Sequence, residues 1–264
     1  MFGALLGRIR LHRVERFSIK GVEWIHKRRR LSATWLIPPG NLYLRLAGNP
    51  SIVLSRARWL AWERAVDVAT GRHLLADSPE NDSSGLWCRL VPGLSLQQLL
   101  ADDAVALELK LEALGWSLVA LRVLHACVAD WGDGRRQTLS HGDATAGNVI
   151  VDLATRSACW IDFETRHRPR YSEVERRADD VRALIDSAVV YLPATCFPQL
   201  GETLAATLDD ESLRTHLSER FRGTWRDFTV AQLAQAPLSW GTAMALRASL
   251  SEALDRNAGR VRLE

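Results

Sequence analysis

Residues 140–149 read SHGDATAGNV and residues 160–164 read WIDFE. Asp143 and Asn148 lie five positions apart, and at this spacing neither a strand nor a straight helix lets two side chains face each other. A tight loop can aim both side chains at one point, and the two glycines of the first segment give the backbone the freedom that such a loop needs. The sequence therefore predicts a loop that gathers a carboxylate and an amide.

A hairpin is predicted to bring a second carboxylate to this loop. Residues 149–152 (VIVD) and 158–162 (ACWID) are β-rich runs on either side of LATRS. Asp162 ends the second run, so the hairpin returns it toward the loop. Two carboxylates and an amide oxygen are hard ligands suited to Mg²⁺ and its attached phosphates, and a carboxylate left off the metal can orient a hydroxyl and accept its proton. Phosphoryl transfer requires this arrangement.

The two segments resemble the catalytic loop and the metal-binding loop of protein-kinase-like phosphotransferases. His-Gly-Asp is typical of aminoglycoside and choline kinases, of small bacterial lipopolysaccharide-core kinases and of the kinase subunit of the tRNA threonylcarbamoylation complex. The resemblance implies that Asp143 is the catalytic aspartate, that Asn148 and Asp162 are the metal ligands, and that His141 supports the loop by hydrogen bonding. Glu164 stands where protein kinases have Gly, and the aminoglycoside and choline kinase branch often has Glu there.

The same family has a helix after the metal loop, in which an Asp braces the catalytic loop. Asp179 and Asp180, in RADDVRALI, resemble that helix. The sequence leaves open which of the two braces the loop, and we take Asp180. Capping of a helix N-terminus by either residue is the alternative interpretation.

The family also holds the nucleotide phosphates with a strand cation that pairs with a Glu on the next helix. Residues 42–46 (LYLRL) resemble that strand, so the resemblance assigns nucleotide binding to Arg45 and Glu63. Arg is bulkier than the usual Lys, which favours a second hypothesis: a pseudokinase-like regulatory module that binds nucleotide without turnover. Lys20 and Lys27 are the alternative cations, although Lys27 lies in KRRR, a run that is more often solvated.

The pattern along the chain predicts an α+β protein with the bilobal fold that the resemblance implies. Residues 34–46 predict two strands around the turn PPGN, residues 54–70 a helix ended by Gly71, and residues 85–91 a strand. Beyond these, leucines at a 4-3-4-3 spacing predict a long helix that ends near residue 131, and three to five helices follow from residue 178.

We divide the chain into three parts on this pattern. Residues 1–30 form a basic extension with the first strand. Residues 31–93 form a small strand-rich lobe with an inter-lobe hinge at residues 86–93. Residues 94–264 form a larger helical lobe that carries the catalytic and metal loops.

Composition limits the class of protein. The chain has 264 residues, of which 47% are hydrophobic and 25% charged, which excludes disordered and collagen-like proteins. Its four cysteines form no CxxC pair, so neither a zinc site nor a disulfide framework is indicated. No apolar run reaches the roughly 18 residues of a membrane span, and the N-terminus lacks the pattern of a secretory signal. We expect a cytoplasmic protein.

Positive charge is concentrated at the start of the chain. Residues 1–60 carry 12 Lys and Arg against 2 Glu, although the whole chain has a net charge of only +3. This asymmetry favours an anionic partner or a solvated basic face, and a nucleic acid ranks last among the partners. Residues 1–17 predict either a basic amphipathic helix at the inner membrane surface or a helix that caps a domain.

The acceptor is expected to be small. Only 14 residues separate Glu164 from Asp179, which leaves little room for the peptide-binding platform of protein kinases. Residues 165–170 (TRHRPR) are strongly basic and are either a contact for an anionic acceptor or solvated surface. We therefore expect transfer from Mg²⁺-ATP to a hydroxyl of a small molecule, a sugar or a lipopolysaccharide-type acceptor rather than to a protein Ser or Thr.

Overall fold

The computed structural model describes residues 11–46, 50–53, 55–76, 85–130, 136–222 and 238–260. In this part of the chain the fold is α+β, with helices predominating over small antiparallel sheets. The helices are α1 (Ala33–Leu46), α2 (Arg56–Ala69), α3 (Leu96–Ala101), α4 (Leu107–Ala126), α5 (Glu173–Ala188), α6 (Phe197–Thr207), α7 (Glu211–Arg222) and α8 (Trp240–Arg260). The strands are β1 (His12–Ile19), β2 (Val22–Arg29), β3 (Ser51–Ile52), β4 (Leu75–Ala76), β5 (Leu86–Arg89), β6 (Leu94–Ser95), β7 (Val128–Asp130), β8 (Arg136–Thr138), β9 (Val149–Asp152), β10 (Ser157–Trp160) and β11 (Thr165–Arg166).

The largest sheet has the order β1-β2-β5-β4 and is antiparallel throughout. A two-residue turn joins β1 to β2, and both its residues, Lys20 and Gly21, have positive φ angles of 52° and 77°, as a type I′ hairpin turn requires. The helix predicted over residues 1–17 is therefore wrong from residue 12 onward, and residues 1–10 lie outside the described residues. Because β1 pairs with β2 and β2 pairs with β5, residues 12–29 belong to the same sheet as the predicted hinge strand.

The segment predicted as two strands around PPGN is instead the helix α1, which contains Pro38 and Pro39. Its inward face explains the difference: Ala33 and Ile37, one turn apart, are 0% and 2% exposed. The Asn41 side chain also bonds to both the N–H and the C=O of Ile52, at 2.8 Å each. Burial and these bonds outweigh the cost of placing proline in a helix.

The predicted helix at residues 54–70 is confirmed as α2. The Ser55 hydroxyl accepts a hydrogen bond from the N–H of Arg58 at its start, and Gly71, with a φ of 64°, follows its end in the left-handed conformation. A serine that caps the first turn and a left-handed glycine after the last turn are common at helix boundaries. Besides two tryptophans, α2 buries two carboxylates, Glu63 and Asp67.

The leucine-striped helix is confirmed as α4, which runs through the main hydrophobic core. Its inward leucines are at most 2% exposed: Leu111, Leu114, Leu118 and Leu121. The helix ends at Ala126 rather than near residue 131, because β7 follows at once and pairs with β8. The next long helix, α5, begins at Glu173 instead of residue 178. Ser172 and Glu175 form a capping box at this start.

The hairpin predicted over residues 149–162 is confirmed as β9 and β10, with Val149 opposite Trp160 and Asp152 opposite Ser157. For the comparison below, the small-sheet region is defined as residues 11–29 and 55–91, and the helical region as residues 96–222 and 238–260. Within the described residues, no helix is both long enough and apolar enough to cross a bilayer.

Candidate active site

The loop after β8 brings Asp143 and Asn148 together. The Asn148 Nδ2 donates to the carbonyl of Asp143 at 2.8 Å and to its carboxylate Oδ2 at 2.9 Å. The turn closes on itself, because the N–H of Asn148 donates to the Thr145 carbonyl at 2.9 Å. Gly142 is required there: its φ is 79°, and a Cβ would lie 2.9 Å from the Thr165 hydroxyl. The spacing in the sequence thus gives the predicted carboxylate–amide pair.

Asp180 on α5, rather than Asp179, holds this loop in place. It is 1% exposed, and its two oxygens accept the backbone N–H groups of His141 at 2.7 Å and Gly142 at 2.8 Å. His125 Nε2 lies 2.9 Å from the same carboxylate. Burial by itself raises the pKa of Asp180, but the charge of His167 and the bond from His125 outweigh it, so this pKa lies below its ordinary value.

His141 connects the loop to the segment after β10. It is fully buried, its Nε2 lies 2.8 Å from the Ile161 carbonyl, and its Nδ1 accepts the N–H of Asp143 at 3.3 Å. These two partners assign the ring proton to Nε2. Burial lowers the pKa of His141, which keeps the ring neutral and suits this bonding. Both ring nitrogens therefore hold backbone groups of the two segments, which is the position of a supporting side chain.

Asp162 follows β10 in a left-handed conformation, with a φ of 68°. The N–H of Ile161 donates to the carbonyl of Asn148 at 2.9 Å, so the two loops are joined at the backbone next to their functional side chains. The Asp162 carboxylate forms an ion pair with the ammonium of Lys27. Burial raises the pKa of Asp162, but the charge and hydrogen bond of Lys27 outweigh this and hold the pKa below its ordinary value.

Lys27 is therefore the cation paired with Asp162, and the expectation that it lies in a solvated run is wrong. It projects from β2, its side chain is only 12% exposed, and it lies 5.5 Å from the centre of the Trp59 ring. Glu63 on α2 is 4% exposed and accepts hydrogen bonds from the N–H of Phe163 at 3.0 Å and from Trp59 Nε1 at 3.2 Å. Burial raises the pKa of Glu63 to about 6, against the opposing charge of Lys27.

The assignment of the cation to Arg45 is wrong. Arg45 lies in the last turn of α1, not on a strand, and its side chain is exposed. Within the described residues it forms no ion pair with Glu63; its backbone carbonyl instead accepts a hydrogen bond from the Arg168 guanidinium. The error follows directly from α1, because a helix at this place cannot project residue 45 toward α2 from a sheet.

Two further side chains at the site, His12 and Arg72, were not found by sequence reasoning, and they contact Glu164 and Phe163 of the motif. His12 Nδ1 lies 3.0 Å from the Glu164 carboxylate, and burial together with Lys27 lowers the pKa of His12 to about 3. Burial and the nearby Asp162 raise the pKa of Glu164 to about 7. The Arg72 guanidinium lies 4.9 Å from the centre of the Phe163 ring and donates a hydrogen bond to the carbonyl of Trp160. Nothing in the local sequence marks His12 or Arg72, since both reach the site from distant elements.

The donor set suits a hard divalent cation carried in with phosphates. Both hydrogen bonds from Asn148 to Asp143 use its amide nitrogen, which leaves the amide oxygen Oδ1 out of that pairing. The Asp162 carboxylate is ionised and already pairs with the ammonium of Lys27, so it offers the negative charge that a bound cation needs. No cluster of three or more His, Cys, Asp or Glu side chains able to hold a metal occurs in the described ranges, so any Mg²⁺ here would depend on phosphate oxygens for its other ligands.

Comparison with known proteins gives no matching family model and no significant match to a curated protein. The geometry of the site and the motifs that build it therefore carry any assignment of function.

Proposed function

We propose that this protein is a Mg²⁺- and ATP-dependent phosphotransferase with the bilobal architecture of protein-kinase-like enzymes. The small lobe would comprise residues 11–93 and the helical lobe residues 94–264. The observation that carries the proposal is the ion pair between Lys27 of β2 and Asp162 of the metal loop, beside Glu63 of α2. This pair brings a phosphate-binding cation and a metal-binding carboxylate to one point, as phosphoryl transfer requires.

Asp143 is the group that accepts the acceptor's proton. Its carboxylate is held by Asn148 and lies outside the ion pair that neutralises Asp162. Burial raises the pKa of Asp143, and repulsion from Asp162 and Asp180 adds to this, which makes it a stronger base than an exposed carboxylate. Asp180 and His141 act as positioning residues, because they hold the backbone of the loop rather than face the cleft.

Lys27 supplies the charge that holds the nucleotide phosphates. Its pKa is raised, because Asp162, Glu164 and Glu63 together outweigh the effect of burial, so it stays protonated at neutral pH. Bound Mg²⁺, held by Asp162 and Asn148, would supply the Lewis acid that neutralises the transferring phosphoryl group. The hypothesis of a nucleotide-binding module without turnover was based on Arg45 in place of a lysine, and Lys27 removes that basis.

The acceptor that fits best is a small or lipid-linked anionic molecule with a free hydroxyl. Only residues 165–172 lie between the metal loop and α5, and they include the exposed Arg170. A segment this short offers no platform for a peptide, and its positive charge favours phosphate or carboxylate groups on the acceptor. We place the reaction in the cytoplasm, with peripheral contact to the inner membrane surface.

The direct test is ADP release from Mg²⁺-ATP by the purified protein, alone and with a bacterial metabolite and lipid extract. We expect release that depends on the extract. In the Asp143→Asn variant the nucleotide affinity should stay within a few-fold of wild type, while turnover falls by roughly 10²-fold or more. Nucleotide binding without ADP release in any extract would support the regulatory module instead.

Lys27→Met and Lys20→Met provide a matched pair, because Lys20 is exposed in the β1–β2 turn. Calorimetry with Mg²⁺-ATP should show weakened binding for Lys27→Met and wild-type binding for Lys20→Met. Asp162→Asn should lose the part of the affinity that depends on Mg²⁺. If all three variants bind as tightly as wild type, the nucleotide site lies elsewhere.

A further inference from the structure

The helix α1 has apolar side chains on two opposite faces. Ala33 and Ile37 face inward and are buried, as described above. About half a turn away in projection, Trp35, Leu42 and Leu46 are 81%, 60% and 72% exposed, and at 3.6 residues per turn they lie within about 40° of one another. These three residues, with Leu31 immediately before the helix at 92% exposure, are called the outer stripe.

An exposed apolar stripe of this kind is normally covered by another molecule or by a membrane. Single exposed apolar side chains are ordinary, but a contiguous row that includes a tryptophan marks a surface that another apolar phase covers. A helix that is apolar on both faces is normally covered on both. Pro38 and Pro39, exposed on the same side of α1, continue the row between Trp35 and Leu42.

The stretch of sequence that contains the outer stripe carries charges of a single sign. Between Glu23 and Glu63 the sequence has no acidic residue and seven Lys or Arg. Arg30 precedes α1 and Arg45 lies in its last turn; both are exposed, and neither forms an ion pair with a described residue. Apolar and aromatic residues flanked by arginines are the pattern of a helix that lies in the interface of an anionic bilayer.

We propose that the outer stripe docks the protein on an anionic phospholipid bilayer. Trp35 and Leu42 enter the boundary between head groups and acyl chains, and Arg30 and Arg45 bind lipid phosphates. This surface differs from residues 1–17, where the sequence predicts the membrane contact. Docking itself does not depend on phosphoryl transfer.

The position of α1 links this surface to the candidate active site. The carbonyl of Arg45 accepts a hydrogen bond from Arg168, in the basic segment after the metal loop. A second connection runs through β3. The Asn41 side chain of α1 bonds to Ile52 of β3, and β3 pairs with β11. Next to β3, the N–H of Val53 donates to the carbonyl of Glu164 at 2.9 Å. A docked α1 therefore holds the acceptor side of the cleft near the membrane, and, on the proposed function, this points to an acceptor that is itself lipid-linked.

Flotation of the full chain with vesicles tests the proposal without nucleotide, so its result does not depend on catalysis. We expect wild type to float with phosphatidylcholine vesicles that contain phosphatidylglycerol, and less with pure phosphatidylcholine. Trp35→Gln/Leu42→Gln should lower the vesicle partition coefficient by about tenfold or more. Val123→Gln/Leu153→Gln, which changes two residues that are 57% and 41% exposed elsewhere, should float as wild type does.

Arg30→Gln/Arg45→Gln should weaken flotation on the anionic vesicles, and added salt should narrow its difference from wild type. Matching thermal melts by circular dichroism would show that the variants are folded. No flotation of wild type, or equal flotation of the outer-stripe variant, overturns the proposal. A third result would also overturn it: wild type does not bind vesicles but is a dimer in light scattering, and the outer-stripe variant is a monomer. The outer stripe would then bind a second copy of the chain.

Discussion

The helical region and the small-sheet region are stabilised by different interactions. The helical region packs leucines around α4 and α5, with side chains such as Leu114 and Leu184 fully buried. Where the small-sheet region meets residues 162–164, the buried groups are instead charged or polar: Lys27 forms an ion pair with Asp162, and the charge of Glu63 acts on it. Apolar burial does not change with pH, whereas a buried charge cluster is stable only while its charges match. The leucine core of the helical region and the buried charged groups should therefore respond differently to pH and to single substitutions.

The largest effect should come from Asp180, a buried charge inside the helical region. Asp180→Ala removes the acceptor for two buried N–H groups and the partner of His125, so we expect a loss of about 4 kcal/mol in the free energy of unfolding. Urea denaturation measures this. Asp179→Ala is the control and should cost clearly less, because Asp179 is partly exposed. Equal costs would show that the loop does not depend on Asp180.

A leucine of the helical core gives the apolar reference. Leu114→Ala should cost about 3 kcal/mol, because the side chain is 0% exposed and its removal leaves a cavity. The cost should be the same at pH 5.5 and pH 8, since no titrating group is involved. Val123→Ala on the exposed side of α4 should change stability by less than about 0.5 kcal/mol. A pH-dependent cost at Leu114 would remove the contrast between the regions.

Lys27→Met should destabilise the protein in a pH-dependent way. The folded-state pKa of Glu63 is about 6 against an ordinary 4.5, so its contribution to stability declines as pH rises from about 4.5 through about 6. Without Lys27 this pKa rises further, and the decline extends to higher pH. We expect a cost of about 2 kcal/mol at pH 8 and less at pH 5.5, measured by urea denaturation. A cost that grows toward low pH would contradict the charge assignment.

His167→Gln should have a smaller effect with the opposite dependence on pH. Burial lowers the pKa of His167, but Asp180 and Asp179 outweigh it, so the folded-state pKa lies above 6.5. The stabilisation is present below 6.5 and is lost as pH rises through the folded pKa. The variant should be about 1 kcal/mol less stable than wild type at pH 6, and this difference should shrink by pH 9. A difference that is constant with pH would mean that His167 acts only through packing.

The smallest effect should be at the helical surface. Arg122 and Asp209 form an ion pair at 3.1 Å with side chains that are 45% and 72% exposed. Solvent screens such a pair, so Arg122→Ala should change the free energy of unfolding by less than about 0.5 kcal/mol. Thermal melts at low and high salt would measure this. If Arg122→Ala costs as much free energy of unfolding as Lys27→Met, burial does not explain the difference expected between the exposed and the buried ion pair.

The elements that could be predicted are those whose boundaries depend on local chemistry. Ser55 and Gly71 delimit α2, and the short turn between residues 152 and 157 produces the β9–β10 hairpin. The helix α1 was missed because PPGN has the composition of a turn, while the inward burial of Ala33 and Ile37 depends on elements elsewhere in the chain. Local propensity favours a turn there, and the burial of the inward face overrides it.

The sequence by itself determined the pairing of Asp143 with Asn148 and the return of Asp162 to the same loop, because a five-residue turn and a short hairpin are local structures. The tertiary structure alone decided that Lys27 meets Asp162 and that Asp180, not Asp179, binds the loop. Lys27 and Asp162 are 135 positions apart. Their meeting depends on strand register and on the rotation of packed helices, which result from burying the whole core rather than from the residues near either side chain.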